Sequence, residues 1–232
     1  MVATVVKLFH LFAFMLYAFC IYYFKFHLDI PQRSASQRRF GRYKFLTHWN
    51  LALQTVVFFV CCVIDFLGVS SSSRLTRIRD HVILSISVPV CMFVTTFFWS
   101  LYYIDPNFMF PPVLSLYYPS WLNHMVHTVP LVLIVIEIWL YRHQQPSREA
   151  GVTSLMCFSA VYVLWMQYLG IVYNIWVYSV LEILSFGEYV LFIAFSGCVV
   201  HVFYIFGEKL NLTLWHRDVN SDRGQSPGGP DR

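Results

Sequence analysis

Two short segments of the sequence carry residues that could perform nucleophilic or acid–base chemistry. Residues 123–127 contain His124 and His127, which are three positions apart and share one face of a helix. Asn123 lies four positions before His127, on the adjoining part of that face. The other segment contains Thr47. A hydroxyl beside an imidazole can act as a nucleophile, because the imidazole takes the hydroxyl proton as the attack begins.

Each of these residues also has a simpler interpretation. A threonine at a helix start commonly caps its own helix, and two histidines on one face can bridge helices through hydrogen bonds. His-x-x-His spacing can place two metal ligands on one helix, but no third or fourth ligand can be assigned here. We therefore predict no metal site and no cofactor. The group that orients the base stays open between Asn123, His124 and Glu182, and Asn123 is also a candidate for holding the oxyanion.

Other polar residues within apolar segments are candidates for different roles. Asp65 and Glu137 are expected near the membrane face opposite Thr47, where they would pair with basic loop residues or set the depth of a span. His10 and His201 are expected to make helix-packing contacts. The sequence has no Gly-x-Ser-x-Gly elbow, no His-Glu-x-x-His helix and no phosphate-binding glycine loop.

The composition places these residues in a membrane protein. Of the 232 residues, 58% are hydrophobic and 12% are charged, whereas a soluble domain has about 25% charged residues. The six cysteines fall inside apolar segments and are expected to be small buried residues. The net charge of +4 comes from Lys and Arg between apolar segments, which is typical of loops at lipid headgroups and excludes a nucleic-acid-binding protein.

The apolar segments predict an all-α polytopic membrane protein with six transmembrane helices in one bundle. A spanning helix needs about 20 mostly apolar residues. The predicted spans are residues 4–24, 45–67, 82–104, 121–141, 152–171 and 189–210. Pro89 predicts a kink in the third span. Residues 1–215 form the predicted membrane domain, and residues 216–232 form a polar tail expected to be disordered.

The number of crossings brings the two candidate segments to one side of the membrane. The second and fourth spans run in the same direction, so their first residues, near Thr47 and His127, lie at the same face. Loops two and four and the tail carry most of the Lys and Arg, which favours cytoplasmic termini. The basic first loop, with Arg33, Arg38, Arg39 and Arg42, disagrees with this orientation. A glycan on Asn211, in the sequon Asn211-Leu212-Thr213, would overturn it.

At these two segments the chain resembles the androgen-induced gene 1 / FAR-17a family of small multi-span proteins. The strongest matches are Lys-Phe-Leu-Thr at residues 44–47 and Pro-Ser-Trp-Leu-Asn-His-Met-Val-His-Thr at residues 119–128. Shorter strings at residues 146–151, 162–165, 176–178 and 207–211 add support. The chain departs from the family pattern in a short second loop, a divergent tail and Ser179 in place of an expected proline.

The resemblance implies an atypical threonine hydrolase that cleaves fatty acid esters of hydroxy fatty acids. It assigns the nucleophile to Thr47 and the catalytic histidine to His127, and it gives His124 no role. The substrate would reach the site from the bilayer of the cell membrane or an endomembrane, and no protein partner is predicted. One family member is also linked to regulation of an anticoagulant protein at the endothelial surface. The alternative is a non-enzymatic membrane scaffold in which the histidine pair is structural.

Overall fold

The structure is a computed structural model that describes residues 2–28, 40–106, 117–178, 181 and 184–224, with side chains described up to residue 215. These residues are helical and contain no strand. The helices are α1 (Val2–Phe26), α2 (Leu46–Leu67), α3 (Arg74–Val82), α4 (Val88–Ile104), α5 (Ser120–His127), α6 (Val129–Leu140), α7 (Arg148–Tyr173) and α8 (Phe186–Gly224). A 3-10 turn, Gly41–Lys44, precedes α2, and a π-helical turn, Ile83–Ser87, joins α3 to α4.

The described helices confirm the all-α polytopic membrane fold. Five continuous helical segments are long and apolar enough to cross a membrane. They are Ala3–Phe26, Leu46–Leu67, Arg74–Ile104, Arg148–Tyr173 and Phe186–Trp215. The bent pair of α5 and α6 makes the sixth when it is counted as one span. The observed bounds differ from the predicted ones by a few residues, except where α3 extends the third span back to Arg74 and α8 continues to Gly224.

Local sequence explains where several helices begin and end. Ser73 and Ser147 cap α3 and α7 by accepting hydrogen bonds from the Thr76 and Ala150 amides. At the other ends, Gly68 after α2 and Asn174 after α7 adopt left-handed conformations, with φ of 60° and 52°. The disorder expected for the polar tail stays a prediction, because α8 extends into that segment and residues 225–232 lie outside the described residues.

Two helices deviate from regular α-helical geometry next to a proline. The kink expected at Pro89 takes the form of the π-helical turn at Ile83–Ser87, and the third span continues through it. In the fourth span, the axis bends by 42° between α5 and α6 at Thr128. Pro130, at the start of α6, has no backbone N–H to donate to the preceding turn, which accounts for the break.

The bundle core forms where the helices meet. Tyr17 of α1 and Phe58 of α2 are fully buried, with ring centroids 5.8 Å apart, and Leu122 of α5 packs into the same cluster. Tyr204 of α8 is fully buried against α4 and α7. The chain thus presents one packed interior, with the Thr47 end of α2 and the start of α5 on the same side.

Several sequence expectations are corrected by the side chains. Cys20, Cys61 and Cys91 are buried, but Cys157 and Cys198 are exposed on the outer surface of their spans. Apolar lipid tolerates a thiol on that surface, so the expectation of burial was wrong for those two residues. The basic residues Arg33, Arg38 and Arg39, together with Ser179 and Glu182, lie outside the described residues.

Two polar side chains near the ends of spans have defined partners. Arg148 pairs with Glu208, with Nη2 to Oε2 at 2.7 Å, and so links α7 to α8. Asn211 is buried within α8 and donates to Gln145 Oε1 at 3.0 Å.

Candidate active site

Thr47 is the second residue of α2, and the start of that helix is held by a tyrosine from α7. Phe45 precedes the helix in an extended conformation and offers no side-chain cap. The Leu46 amide donates to Tyr162 Oη at 2.8 Å, and Tyr162 Oη lies 3.2 Å from the Lys44 carbonyl, to which it donates. The Tyr178 hydroxyl lies 3.3 Å from that of Tyr162. Tyr162 therefore fixes the backbone on both sides of Phe45.

His127, the last residue of α5, lies against Thr47 as the parity of the spans predicts. The distance from Thr47 Oγ1 to His127 Nε2 is 3.3 Å. His127 is 8% exposed and Thr47 is half-buried, so the pair lies at the edge of the bundle core. The contact brings the two side chains together as the parity of the spans predicts, and their position at one membrane face stays a prediction.

The other ring nitrogen of His127 determines which nitrogen carries the proton. Nδ1 lies 2.8 Å from Asn123 Oδ1 and 3.1 Å from the Asn123 carbonyl oxygen. A carbonyl oxygen only accepts, so Nδ1 carries the hydrogen and donates it. Nε2 then has a free lone pair that faces Thr47, whose hydroxyl donates to it. Asn123 occupies the position of the group that orients a base, because it holds the nitrogen on the far side of the ring from Thr47.

A phenylalanine ring fixes the plane of the imidazole. The rings of Phe98, in α4, and His127 are stacked, with centroids 3.5 Å apart and planes at 8°. This contact leaves His127 little freedom to rotate away from Thr47. Sequence reasoning missed Phe98, since it is one of 22 phenylalanines and nothing in its surroundings distinguishes it.

His124 is placed away from the pair, although it belongs to the same motif. It is exposed, its Nδ1 lies 3.2 Å from Thr128 Oγ1, and its ring stacks on Trp99 at 5.0 Å. Trp99 Nε1 also donates to Thr128 Oγ1, at 3.0 Å. The two motif histidines thus have different partners, and this geometry gives no support to a metal bound between His124 and His127.

His48 is a second residue that sequence reasoning passed over. It follows Thr47 directly, and both of its ring nitrogens are buried without a hydrogen-bond partner among the described residues. Its ring contacts that of Phe24 edge to face at 4.8 Å. The signal available in the sequence was its position beside Thr47 within the Lys-Phe-Leu-Thr-His string.

The basic side chains near Thr47 are partly buried. Burial lowers the pKa of Lys44 and, with smaller opposing effects of nearby tyrosines, that of Arg42. The Arg42 guanidinium lies over the Phe24 ring at 5.1 Å and donates to the Leu28 carbonyl at 3.0 Å. These side chains lie along apolar surface, and such a region suits an apolar ligand.

The described geometry can support transfer of an acyl group. The hydroxyl, the imidazole and the amide oxygen form a chain of hydrogen bonds in the order nucleophile, base and orienting group. In the first turn of α2, the Leu46 amide donates to Tyr162 Oη, and the His48 and Trp49 amides donate to the Phe45 carbonyl oxygen. This leaves the Thr47 amide as the first-turn N–H group that can stabilise negative charge on an oxygen bound there.

Comparison with known proteins supplies the context for this site. The family description "FAR-17a/AIG1-like protein" matches residues 5–212. The chain is 33% identical to human androgen-induced gene 1 protein over 186 residues, which cover 75% of this chain and 78% of the relative. It is 31% identical to the androgen-dependent TFPI-regulating protein of Rattus norvegicus over 229 residues, or 94% of this chain and 97% of the relative. The mouse protein of that name is 30% identical over 84% of this chain and 93% of its own length.

No solved structure matches the chain. The family match includes all the helices that bear the site, from α1 through the membrane-spanning part of α8. The printed names of the relatives describe hormone responsiveness and regulation, and none of them names a reaction. Together with the multi-pass helical fold, these matches show that the chain is a member of the FAR-17a/AIG1-like family of membrane proteins.

Proposed function

We propose that this protein is a membrane-embedded threonine hydrolase that cleaves the ester bond of fatty acid esters of hydroxy fatty acids. The observation that carries the proposal is the contact of Thr47 Oγ1 with His127 Nε2 at 3.3 Å, while Asn123 holds Nδ1. This arrangement gives the hydroxyl a base with a free lone pair. Thr47 is the nucleophile and His127 the general base.

The first half of the reaction forms an acyl-threonine. Thr47 Oγ1 attacks the ester carbonyl carbon while its proton passes to His127 Nε2. The tetrahedral intermediate then collapses, the carbon–oxygen bond to the hydroxy fatty acid breaks, and His127 returns the proton to the departing oxygen. The first product is the free hydroxy fatty acid. The backbone N–H group of Thr47, in the first turn of α2, stabilises the oxyanion.

The second half releases the remaining acid. Water attacks the acyl-threonine carbonyl as His127 Nε2 takes one of its protons, and that proton returns to Thr47 Oγ1 when the acyl–oxygen bond breaks. Asn123 is a positioning residue in this scheme, because its side-chain oxygen accepts the hydrogen bond of His127 Nδ1.

The surroundings of Thr47 suit a substrate with two acyl chains. Thr47 is half-buried at the end of a span, and its neighbours include the apolar side chains of Phe24, Phe45 and Phe98. A branched fatty acid ester is concentrated in the bilayer by burial of its chains. It can therefore approach Thr47 laterally, from one leaflet.

The test measures hydrolysis and covalent labelling in purified protein reconstituted in nanodiscs. Thr47→Ala and His127→Ala should each reduce hydrolysis of a branched fatty acid ester by more than about 10³-fold and abolish labelling by a fluorophosphonate probe. Thr47→Ser should keep both, since it retains a hydroxyl. Thr55→Ala is the matched control, because the Thr55 hydroxyl donates to its own helix, to Leu51 O at 2.7 Å.

The competing proposal is a non-enzymatic membrane scaffold in which Thr47 and His127 only connect α2 to α5. On that account, wild-type protein hydrolyses no ester, or the two alanine variants hydrolyse it as fast as wild type. Either result would overturn the hydrolase proposal. The regulatory role printed in the names of some relatives is compatible with both accounts and is not distinguished by this assay.

A further inference from the structure

A second cluster of titratable side chains lies at the opposite end of α2 from Thr47. It contains His10 of α1, Cys61 of α2, Glu137 of α6 and His143 of the segment after α6, and all four are buried. Cys61 follows Thr47 by 14 positions on one helix, which corresponds to about 21 Å at 1.5 Å per residue. This cluster is therefore separate from the proposed catalytic pair.

The two histidines of the cluster have the same arrangement of partners. His10 Nδ1 lies 2.6 Å from Asp65 Oδ2, and its Nε2 lies 2.8 Å from Glu137 Oε2. His143 Nδ1 lies 2.8 Å from Asp80 Oδ1, and its Nε2 lies 3.3 Å from Glu137 Oε1. Each imidazole thus contacts an aspartate through Nδ1 and directs Nε2 at Glu137. Metal-binding histidines have this arrangement, in which the carboxylate fixes the ring and the tautomer.

Two buried atoms of the cluster have no hydrogen-bond partner among the residues that the structure describes. They are Glu137 Oε1 and His143 Nε2, 3.3 Å apart with poor geometry for a hydrogen bond, and both side chains are fully buried. Unsatisfied buried polar atoms are rare and call for an explanation. Nitrogen and oxygen ligands at about 2.0–2.1 Å from a tetrahedral zinc ion are themselves about 3.3 Å apart.

Cys61 supplies a further donor atom at the same place. The ligand atoms of His10, Cys61 and Glu137 all lie within 4.8 Å of one another. His143 Nε2 meets this group at Glu137 Oε1, 3.3 Å away. We propose that His10, Cys61 and Glu137 bind one divalent transition-metal ion and that His143 moves in as the fourth ligand, with zinc as the ion that best suits two nitrogens, one oxygen and one sulfur. The sequence analysis predicts no metal, and this proposal revises that prediction.

The charges of the surrounding groups fit a bound cation. Three carboxylates, those of Asp65, Asp80 and Glu137, converge on the two histidines. Arg79 neutralises Asp80, with Nη2 to Oδ1 at 2.7 Å, which leaves two carboxylates for the ion. Without the ion, each imidazole would need a proton on both nitrogens to donate to both of its carboxylates. A divalent ion takes the place of the two Nε2 protons at equal charge, and loss of the Cys61 thiol proton then lowers the net charge of the cluster by one unit.

Four protein ligands would complete a tetrahedral site and leave no open position for a substrate, so the site is structural. It joins α1, α2, α6 and the segment after α6 at one end of the bundle. Binding releases the thiol proton of Cys61 to solvent as the thiolate forms. The Nε2 protons of His10 and His143 are released with it. The ion itself undergoes no change of oxidation state.

The test is the metal content of the full chain, purified in detergent after growth in zinc-supplemented medium. Mass-spectrometric analysis should give about one zinc per wild-type chain, and His10→Ala and Glu137→Gln should bind less than about 0.2. His201→Ala is the matched control for removal of a histidine from a span, and it should keep the zinc. Metal content is read without reference to hydrolysis, so the outcome is independent of the proposed reaction.

Cobalt substitution provides a second test, which uses wild-type protein and therefore still applies if a ligand variant fails to fold. Wild-type protein stripped with a chelator and loaded with Co²⁺ should show the visible bands of a tetrahedral site and a near-ultraviolet thiolate-to-cobalt band. Cys61→Ser should lose the thiolate band, whereas Cys62→Ser should keep it. Folded wild-type protein that binds less than about 0.1 zinc or cobalt per chain, with a Tm unaffected by chelator, would show that the cluster is a network of protonated ion pairs and would overturn the proposal.

Discussion

The imidazole of His127 is constrained from three directions. Thr47 lies at Nε2, Asn123 at Nδ1, and the Phe98 ring against its face. These contacts come from α2, α5 and α4 respectively, so the base is oriented by the packing of three helices. In the proposed reaction, a base held in this way loses little entropy when it takes the proton of Thr47.

Removal of the Asn123 side chain should slow the reaction without removing either reacting group. In Asn123→Ala, Nδ1 keeps only the longer contact to the backbone carbonyl, and the ring can adopt the other tautomer. We expect kcat to fall by about 10²-fold, with KM changed by less than threefold, as measured by hydrolysis in nanodiscs. His124→Ala, on the exposed side of the same helix, should stay within threefold of wild type. Unchanged kcat in Asn123→Ala would remove Asn123 from the site.

Residue chemistry predicts part of this site. Thr47 and His127 could be identified because a hydroxyl and an imidazole are costly in apolar segments, and Asn123 because of its spacing. Phe98 could not, since its role comes from the packing of α4 on α5 and its residue type is abundant in the chain. Residue type and spacing alone could not separate His124 from His127, and only the family resemblance assigned the role to His127, because the rotation of α5 decides which of them faces the core.

At the scale of elements, the start of α2 depends on α7. Tyr162 binds the backbone on both sides of Phe45 and thereby sets the position of Thr47. Tyr162→Phe removes the hydroxyl and keeps the ring. We expect kcat to fall by about tenfold while Tm falls by only a few degrees, because a misplaced nucleophile costs more in rate than one hydrogen bond costs in stability. A Tyr162→Phe variant with wild-type kcat would contradict this account.

Tyr168→Phe provides the matched control for that variant. Tyr168 lies on the same helix, but it is exposed and its hydroxyl lies 3.2 Å from that of Tyr173. Loss of the Tyr168 hydroxyl should leave both kcat and Tm near their wild-type values. A similar decrease in both variants would indicate a general effect on α7.

Close approach of α8 to α4 depends on a glycine. A Cβ atom on Gly207 would lie 2.7 Å from Val88 Cγ1, and Val88 is buried with a stiff β-branched side chain. We expect Gly207→Ala to destabilise the bundle by about 1–3 kcal/mol through overpacking, read as a lower Tm in detergent. Gly197→Ala, on the same helix with nothing within 4 Å, should keep the wild-type Tm. Equal effects of the two variants would contradict the close packing.

Hydrophobicity predicts where the helices lie but not how they deviate from straight rods. The six apolar segments locate every span within a few residues, apart from the polar helical extension at Arg74 and the continuation of α8. Pro89 and Pro130 are both visible in the sequence, yet one accompanies a π-helical turn and the other a 42° bend. The difference is set by the neighbouring helices, which composition does not describe.

At the scale of the whole molecule, the distribution of Lys and Arg predicts that loops two and four face the cytoplasm. Cysteines introduced at Ser72, in loop two, and at Tyr117, before α5, test this in a background with Cys157 and Cys198 replaced by serine, since both are exposed. A membrane-impermeant maleimide should label Tyr117→Cys on intact cells and Ser72→Cys only after permeabilisation. The reverse pattern would invert the topology.

The sequon at Asn211 loses its value as a test of orientation. Asn211 is 2% exposed within α8, and its amide donates to Gln145 Oε1. Transfer of a glycan needs an accessible, flexible acceptor, so an unmodified Asn211 is expected in either orientation. The reason is the burial of the Asn211 side chain, which the tripeptide sequence does not reveal.

The cluster of proposed metal ligands could be identified only from the assembled bundle. His10, Cys61, Glu137 and His143 come from four separate segments, and no spacing between them resembles a metal-binding motif. The sequence placed Asp65 and Glu137 at the face opposite Thr47 but could not identify their partners. Those partners are histidines, one of which was expected to make only a packing contact.

For the proposed hydrolase, the half-buried position of Thr47 at the end of a span has a kinetic consequence. A lipid that reaches Thr47 from within one leaflet is counted by its mole fraction in the bilayer, so its concentration in the surrounding buffer does not set the rate. Diluting a fixed amount of substrate with inert phospholipid should therefore slow hydrolysis, even though nothing in the aqueous phase changes. Inhibitors of this protein would have to be compared at equal surface density, since potency ranked in buffer would mainly report how well each compound partitions into the membrane.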